Sequence, residues 1–173
     1  VFVGRGTRPY YEYDVPNSQS AYGRSKLAGE IAVREVNPKH YVVRTAWVYH
    51  EQGANFPRTM LSLATRPEVR VVDDQVGCPT YAPHLAQAIA RLIETDAFGT
   101  YHFAGAGSVT WYGLTRKLFA LRGIATPVVP VTTEEFPRPA PRPRYSVLTT
   151  LQEPRIVLPP WEDALEEFCR ALG

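Results

Sequence analysis

The sequence predicts an α/β protein built on a mainly parallel sheet, and three observations carry that prediction. Helix-period segments and β-branched segments alternate along most of the chain. Residues 40–49 form a dense β-branched and aromatic run of the kind that makes a strand buried on both faces. The 173 residues, 45% hydrophobic and 21% charged, are enough for a folded unit with a real core.

The elements follow in order. Val1-Phe2-Val3-Gly4 reads as the end of a strand. Residues 5–17, with Gly6, Pro9, Pro16 and several tyrosines, form a decorated surface loop of the sort that touches ligands. Ser18 and Ser20 are candidate N-caps for a helix over 22–36, where Leu27, Ala28, Ile31, Ala32 and Val36 recur at near-helical spacing before Pro38. The strand over 40–49 comes next, then a helix over 56–65 and a short strand over 69–72. Residues 83–94 form a helix with Leu85, Ala88, Ile89, Leu92 and Ile93 on one face. A strand over 99–104, a helix over 110–121 capped by Ser108 or Thr110, a strand over 127–131 and a closing amphipathic helix over 161–172 complete the alternation.

Composition removes several function classes. A net charge of +2 with no Lys/Arg-rich run argues against a nucleic-acid binder. No apolar stretch approaches the ~20 residues that cross a bilayer, and no signal-peptide pattern opens the chain, so a cytoplasmic protein is expected. Cys78 and Cys169 cannot build a disulfide framework, and His40, His50, His84 and His102 show no metal-ligand spacing. Asp73 and Asp74 lack a third neighbouring carboxylate, so no metal residue is assigned and Mg2+ stays an open question.

Tyr22-Gly23-Arg24-Ser25-Lys26 sets a phenol and an ammonium at i,i+4 on one face of the first helix. Ketone reduction needs that pairing. Hydride reaches carbon while a proton must reach the forming alkoxide, and a phenol of pKa ~10 donates sluggishly unless a neighbouring cation stabilises the phenolate. An ordinary surface Tyr-Lys pair is the competing reading, since a chain with ten tyrosines and few lysines meets Tyr-x-x-x-Lys by chance about once in six. The arginines of Phe136-Pro137-Arg138-Pro139-Ala140-Pro141-Arg142-Pro143-Arg144 also admit two readings, a stiff linker or a grip on a diphosphate.

Context comes from ordered blocks. Pro9-Tyr10 through Glu12, Asp14 and Pro16 leads to Tyr22-Gly23-Arg24-Ser25-Lys26-Leu27-Ala28-Gly29-Glu30. Arg44-Thr45-Ala46-Trp47-Val48-Tyr49 follows, then Asn55-Phe56, Val71-Val72-Asp73-Asp74-Gln75-Val76-Gly77-Cys78-Pro79-Thr80, Thr110-Trp111-Tyr112 and Leu158-Pro159-Pro160-Trp161. Over essentially the whole chain this series resembles the extended short-chain dehydrogenase/reductases, and within them the dTDP-4-dehydrorhamnose reductases.

The resemblance implies the carboxyl-terminal portion of a Rossmann-like parallel sheet plus a smaller substrate-binding α/β region. Residues 1–50 would be the remainder of the NAD(P)-binding domain, and residues 51–173 mainly the sugar-nucleotide region. It implies Tyr22 as proton donor and Lys26 as its partner and ribose anchor, both touching the cofactor. Trp47, Asn55, Gln75, Thr80 and Arg142 would lie on the substrate side. Each of these admits a plainer reading as well: Trp47 as core, Asp73-Asp74 as a turn, Thr80 and Tyr81 as a helix cap. The implied cofactor is NADPH, with NADH an alternative, the implied partner a dTDP-sugar, and a homodimer the candidate assembly. No G-x-G-x-x-G occurs in the sequence, and Gly105-Ala106-Gly107 lacks the third glycine, so the phosphate-binding half of such a protein is expected to lie outside it. A non-catalytic nucleotide-sugar-binding or regulatory protein of the same fold is the alternative.

Overall fold

The computed structural model describes residues 1–137, 140 and 142–173. The first helix, α1 (Ala21–Val36), is capped by Ser20, whose Oγ accepts from the Gly23 N–H at 3.0 Å. It leads to β1 (Tyr41–Arg44) and β2 (Val48–Tyr49), then to α2 (Phe56–Ser62), capped by Asn55 and opened by Pro57. Three short strands follow: β3 (Val69–Val72), β4 (Val76–Gly77) and β5 (Thr80–Tyr81). Then come α3 (Ala82–Ile93), β6 (Gly99–His102), β7 (Val109–Thr110), α4 (Trp111–Leu121), β8 (Val128–Val131) and α5 (Trp161–Ala171).

Pairing is mainly parallel, as the alternation predicts. β1 runs parallel to β6, β2 to β5 and β3 to β8, while β4 and β7 are antiparallel. Two apolar clusters hold these pairs. The larger packs α4 and α5 on β3 and β5 through Leu114, Leu118, Phe119, Leu165 and Phe168. The smaller joins α3 to β6 through Leu92, Tyr101 and Phe103. Cys169 lies on the buried side of α5 and Cys78 is buried in its loop, both as free thiols. Burial pushes the Cys78 thiol up to about 11.

Several expectations need correction. Residues 1–3 form no strand: they make no ladder with any described strand, and Gly4 turns the chain at φ +76°. The single strand over 40–49 is two strands. Trp47 adopts φ +47°, a left-handed backbone that no strand can carry, and the break sends β1 to β6 and β2 to β5. β1 is also only half-buried at Tyr41, Val42 and Val43. Thr110 rather than Ser108 caps α4, accepting from Gly113 N–H at 3.0 Å. α2 ends at Ser62 and relaxes into turns, and β6 stops at His102.

A strap formed by residues 144–149 ties the amino-terminal loop to the rest. Tyr145 N–H donates to Gly4 carbonyl, Val76 N–H to Arg144, Tyr10 N–H to Val147, and Thr149 N–H to Tyr10, all at 2.8–3.0 Å. Gly4 permits this closeness, since a Cβ there would lie 2.0 Å from Pro143 Cβ.

Candidate active site

Tyr22, Lys26 and Glu30 lie four residues apart along α1 and so share one face of it. That face borders a cleft of about 410 Å³, whose other walls include Phe2, Arg44, Thr45, Ala46, Pro143 and Tyr145. The Lys26 ammonium sits 5.5 Å from the centre of the Tyr22 ring. Tyr22 is 73% exposed, so its hydroxyl is open to an incoming molecule. Gly23 between them is required by packing: a Cβ there would fall 1.8 Å from Ser18 Oγ.

Beneath the cleft lies a buried polar network. Arg44 grips Glu30 with two parallel bonds, Nε to Oε1 at 3.0 Å and Nη2 to Oε2 at 2.7 Å, and its guanidinium lies 5.2 Å from the centre of Phe2. Arg44 Nη1 faces His102 Nε2 at 3.3 Å, which leaves the imidazole proton on Nδ1, between the carbonyls of Tyr10 and Thr149 at 3.1 Å each. Burial, aided by the Arg44 charge and opposed by Glu12, holds the His102 pKa below its ordinary value. The ion pair therefore fixes α1, and with it the Tyr-Lys pair, onto β1.

The structure brings Tyr22 and Lys26 together and places the other candidates elsewhere. Trp47 follows the wall residues Thr45 and Ala46, but its ring stacks on Trp111 with centroids 3.4 Å apart. Asn55 is occupied as a cap: its Oδ1 accepts from Arg58 N–H at 3.2 Å and its Nδ2 donates to His50 carbonyl at 2.7 Å. Gln75 is buried and uses both ends of its amide, donating to Thr133 Oγ1 at 3.0 Å and accepting from Trp111 Nε1 at 3.2 Å. Thr80 lies away from the cleft wall. It has no exposed surface, and its hydroxyl donates to Cys78 carbonyl and accepts from Gly105 N–H. Tyr81 stands at the start of α3 without a side-chain cap bond. Arg142 is exposed beside the cleft residue Pro143, and Arg144 reaches Glu134 at 3.4 Å. The expectation placed on Arg138 lies outside the described residues.

Asp73 accepts from Thr110 Oγ1 at 2.6 Å, and Asp74 accepts from both the hydroxyl and the N–H of Thr133. Burial opposes the Asp74 carboxylate, but the two Thr133 bonds and Arg144 outweigh it and hold its carboxyl below the usual range. Among the described residues, no three His, Cys, Asp or Glu side chains are placed to hold a metal ion.

Sequence reasoning missed Glu30, Arg44 and Phe2 as parts of the site. Glu30 repeats the four-residue step from Lys26, and Arg44 is the one charge in an otherwise apolar strand; those were the available signals.

The cleft can hold a ligand between the Tyr-Lys pair and the wall formed by Pro143, Tyr145, Ser146 and Leu148. Lys26 offers three ammonium donors and Tyr22 a hydroxyl, which suits the hydroxyls of a ribose or sugar. The fit extends only to that end of a dinucleotide, because the residues present include no glycine-rich turn for a pyrophosphate.

The family description "RmlD substrate binding domain" matches residues 1–173. A spore coat polysaccharide biosynthesis protein of Bacillus subtilis, SpsK, is 41% identical over 97% of this chain and 60% of its own length. The crystal structure of a dTDP-4-dehydrorhamnose reductase of Clostridium acetobutylicum superposes with a TM-score of 0.96 at 44% identity, covering 99% of this chain and 62% of that one. That of Bacillus anthracis, in complex with NADP, gives 0.95 at 39% identity over the same shares. The chain thus spans about three-fifths of the length of the relatives it matches. Among the described residues, no helix is long and apolar enough to cross a membrane.

Proposed function

The chain belongs to the RmlD substrate-binding domain family, and on that footing we propose that the protein carrying it reduces the 4-keto group of dTDP-4-dehydro-L-rhamnose with NADPH, giving dTDP-L-rhamnose. The observation that carries the reading is the Tyr22–Lys26 pair, open to solvent on the cleft-facing side of α1. The similarity to reductases of that name, one of them solved with NADP, supports the choice of substrate and cofactor.

NADPH, when bound, supplies the hydride that forms the new C–H bond at C4. Tyr22 gives its phenolic proton to O4 as the C=O π bond opens, so the sugar gains one hydride and one proton and the phenolate remains on the protein. Lys26 stabilises that phenolate as a neighbouring cation and takes the ribose hydroxyls as hydrogen-bond acceptors. Glu30 and Arg44 hold the helix that presents both groups.

The test is oxidation of NADPH, followed at 340 nm, by the protein in its full reading frame with dTDP-4-dehydro-L-rhamnose. Substrate-dependent oxidation with dTDP-L-rhamnose as product is expected. Tight binding of the dTDP-sugar with no turnover would instead identify a nucleotide-sugar-binding protein and reject the reductase reading.

A further inference from the structure

His102, the last residue of β6, is buried and reaches both walls of the Tyr22–Lys26 cleft without lining it. Toward α1, its Nε2 accepts from Arg44 Nη1 at 3.3 Å, and the same guanidinium gives its other nitrogens to Glu30. Toward the strap, its Nδ1–H is shared between the carbonyls of Tyr10 and Thr149, 3.1 Å from each. The Thr149 N–H donates to Tyr10 in turn, and the Tyr10 N–H donates to Val147, which stands between the wall residues Ser146 and Leu148. Glu12 doubles the attachment. Its Oε1 accepts from the His102 N–H at 3.0 Å and from the Thr150 hydroxyl, and its Oε2 from the Leu151 N–H at 3.2 Å.

One protonation state satisfies all of these bonds. Arg44 only donates, so Nε2 must accept; the two carbonyls only accept, so Nδ1 must carry the proton. The imidazolium fits badly, because its second N–H would meet the Arg44 guanidinium donor against donor and charge against charge. The charged groups around the ring are Arg44 on β1, Glu30 behind it on α1, Glu12 and Asp14 on the amino-terminal loop, and Arg155, which lines a small cavity together with His102. Burial outweighs the Glu12 carboxylate and favours the neutral ring.

We propose that His102 is a positioning residue that yokes the Tyr-Lys wall of the cleft to the wall formed by Tyr145, Ser146 and Leu148, and so fixes the gap in which the keto sugar meets Tyr22. The inference rests on the reductase reading for the reaction; the yoke itself is a property of the fold. β6 supplies the fixed point, since Tyr101 and Phe103 on either side of His102 are fully buried in the cluster with Leu92. Holding both walls before the ligand arrives keeps the reacting atoms aligned, and a displacement of about 1 Å there can cost ~100-fold in rate.

Two substitutions divide the ring between them. His102→Gln keeps an acceptor for Arg44 and loses the bonds to the carbonyls, whereas His102→Asn keeps a donor to the carbonyls and loses Arg44. In the full-length protein, amide hydrogen exchange should quicken by at least about tenfold over residues 145–149 in the first variant and over residues 22–30 in the second, with α4 and α5 unchanged in both. Any other pattern overturns the yoke, whatever the protein binds. Turnover with NADPH and dTDP-4-dehydro-L-rhamnose at saturation then tests the positioning role. In each variant kcat should fall about tenfold while dTDP affinity stays within about twofold of wild type. The wild-type kcat should also decline as pH falls below about 6.5, where the ring takes its second proton, and that decline should be absent from His102→Gln. An unchanged kcat in both variants, or an acid decline that survives His102→Gln, overturns the positioning role. A wild type that reduces nothing rejects that role together with the reductase reading, and the exchange pattern alone then decides the yoke.

Discussion

The helix that carries the Tyr-Lys pair and the helices that carry the core are held in different ways. α4 and α5 bury Leu114, Leu118, Phe119, Trp161, Leu165 and Phe168, and apolar packing fixes them. α1 buries only Gly23, while Ile31 and Val33 are nearly half-exposed and Val36 is 84% exposed. What binds α1 to the sheet is polar: the bidentate Glu30–Arg44 pair on β1, and Arg34 Nη2 donating to Thr100 Oγ1 of β6 at 3.1 Å. The difference teaches that this molecule keeps its stability and its proposed chemistry on separate elements, with the Tyr-Lys helix tethered by a buried ion pair and a hydrogen bond above a buried histidine.

Three changes probe that division, from the largest effect to the smallest. Phe168→Ala opens a cavity against Tyr49 and Tyr81 and should cost ~3–5 kcal/mol, read as a fall in the urea midpoint of the whole transition. Glu30→Ala leaves the Arg44 guanidinium buried and unpaired. It should cost up to ~3 kcal/mol, and early proteolysis confined to α1 should mark where the loss falls. If the cost appears instead as uniform global unfolding, the tether does not separate the two regions.

The third concerns acid. His102 is buried neutral, with a folded pKa below the ~6.5 of an unfolded chain. The unfolded state therefore binds more protons between those two values. The contribution of His102 is fully present above about pH 6.5 and declines as pH falls toward the depressed folded value. Stability measured across that window should fall with acid in the wild type and fall less steeply in His102→Gln.

Much of this was legible in the sequence, and what escaped has physical reasons. The helices α3, α4 and α5 announced themselves through period and length, α4 also through its cap, and the i,i+4 spacing put Tyr22 beside Lys26. The two-residue strands β4, β5 and β7 are too short to show an alternation. The break at Trp47 has no local signature, because tryptophan is not a left-handed residue by preference; the crowding around its ring comes from Gly77 and Trp111, 30 and 64 positions away. Asn55, Gln75 and Thr80 show a further limit. Their hydrogen-bond partners within the fold come from other segments and leave no local mark in the sequence.

The central claim is that Tyr22 donates the proton. Tyr22→Phe keeps the ring and removes only the hydroxyl. In the full-length protein it should lower the rate of NADPH-dependent reduction of dTDP-4-dehydro-L-rhamnose by at least ~100-fold, with dTDP affinity unchanged. A rate within about twofold of wild type would contradict it.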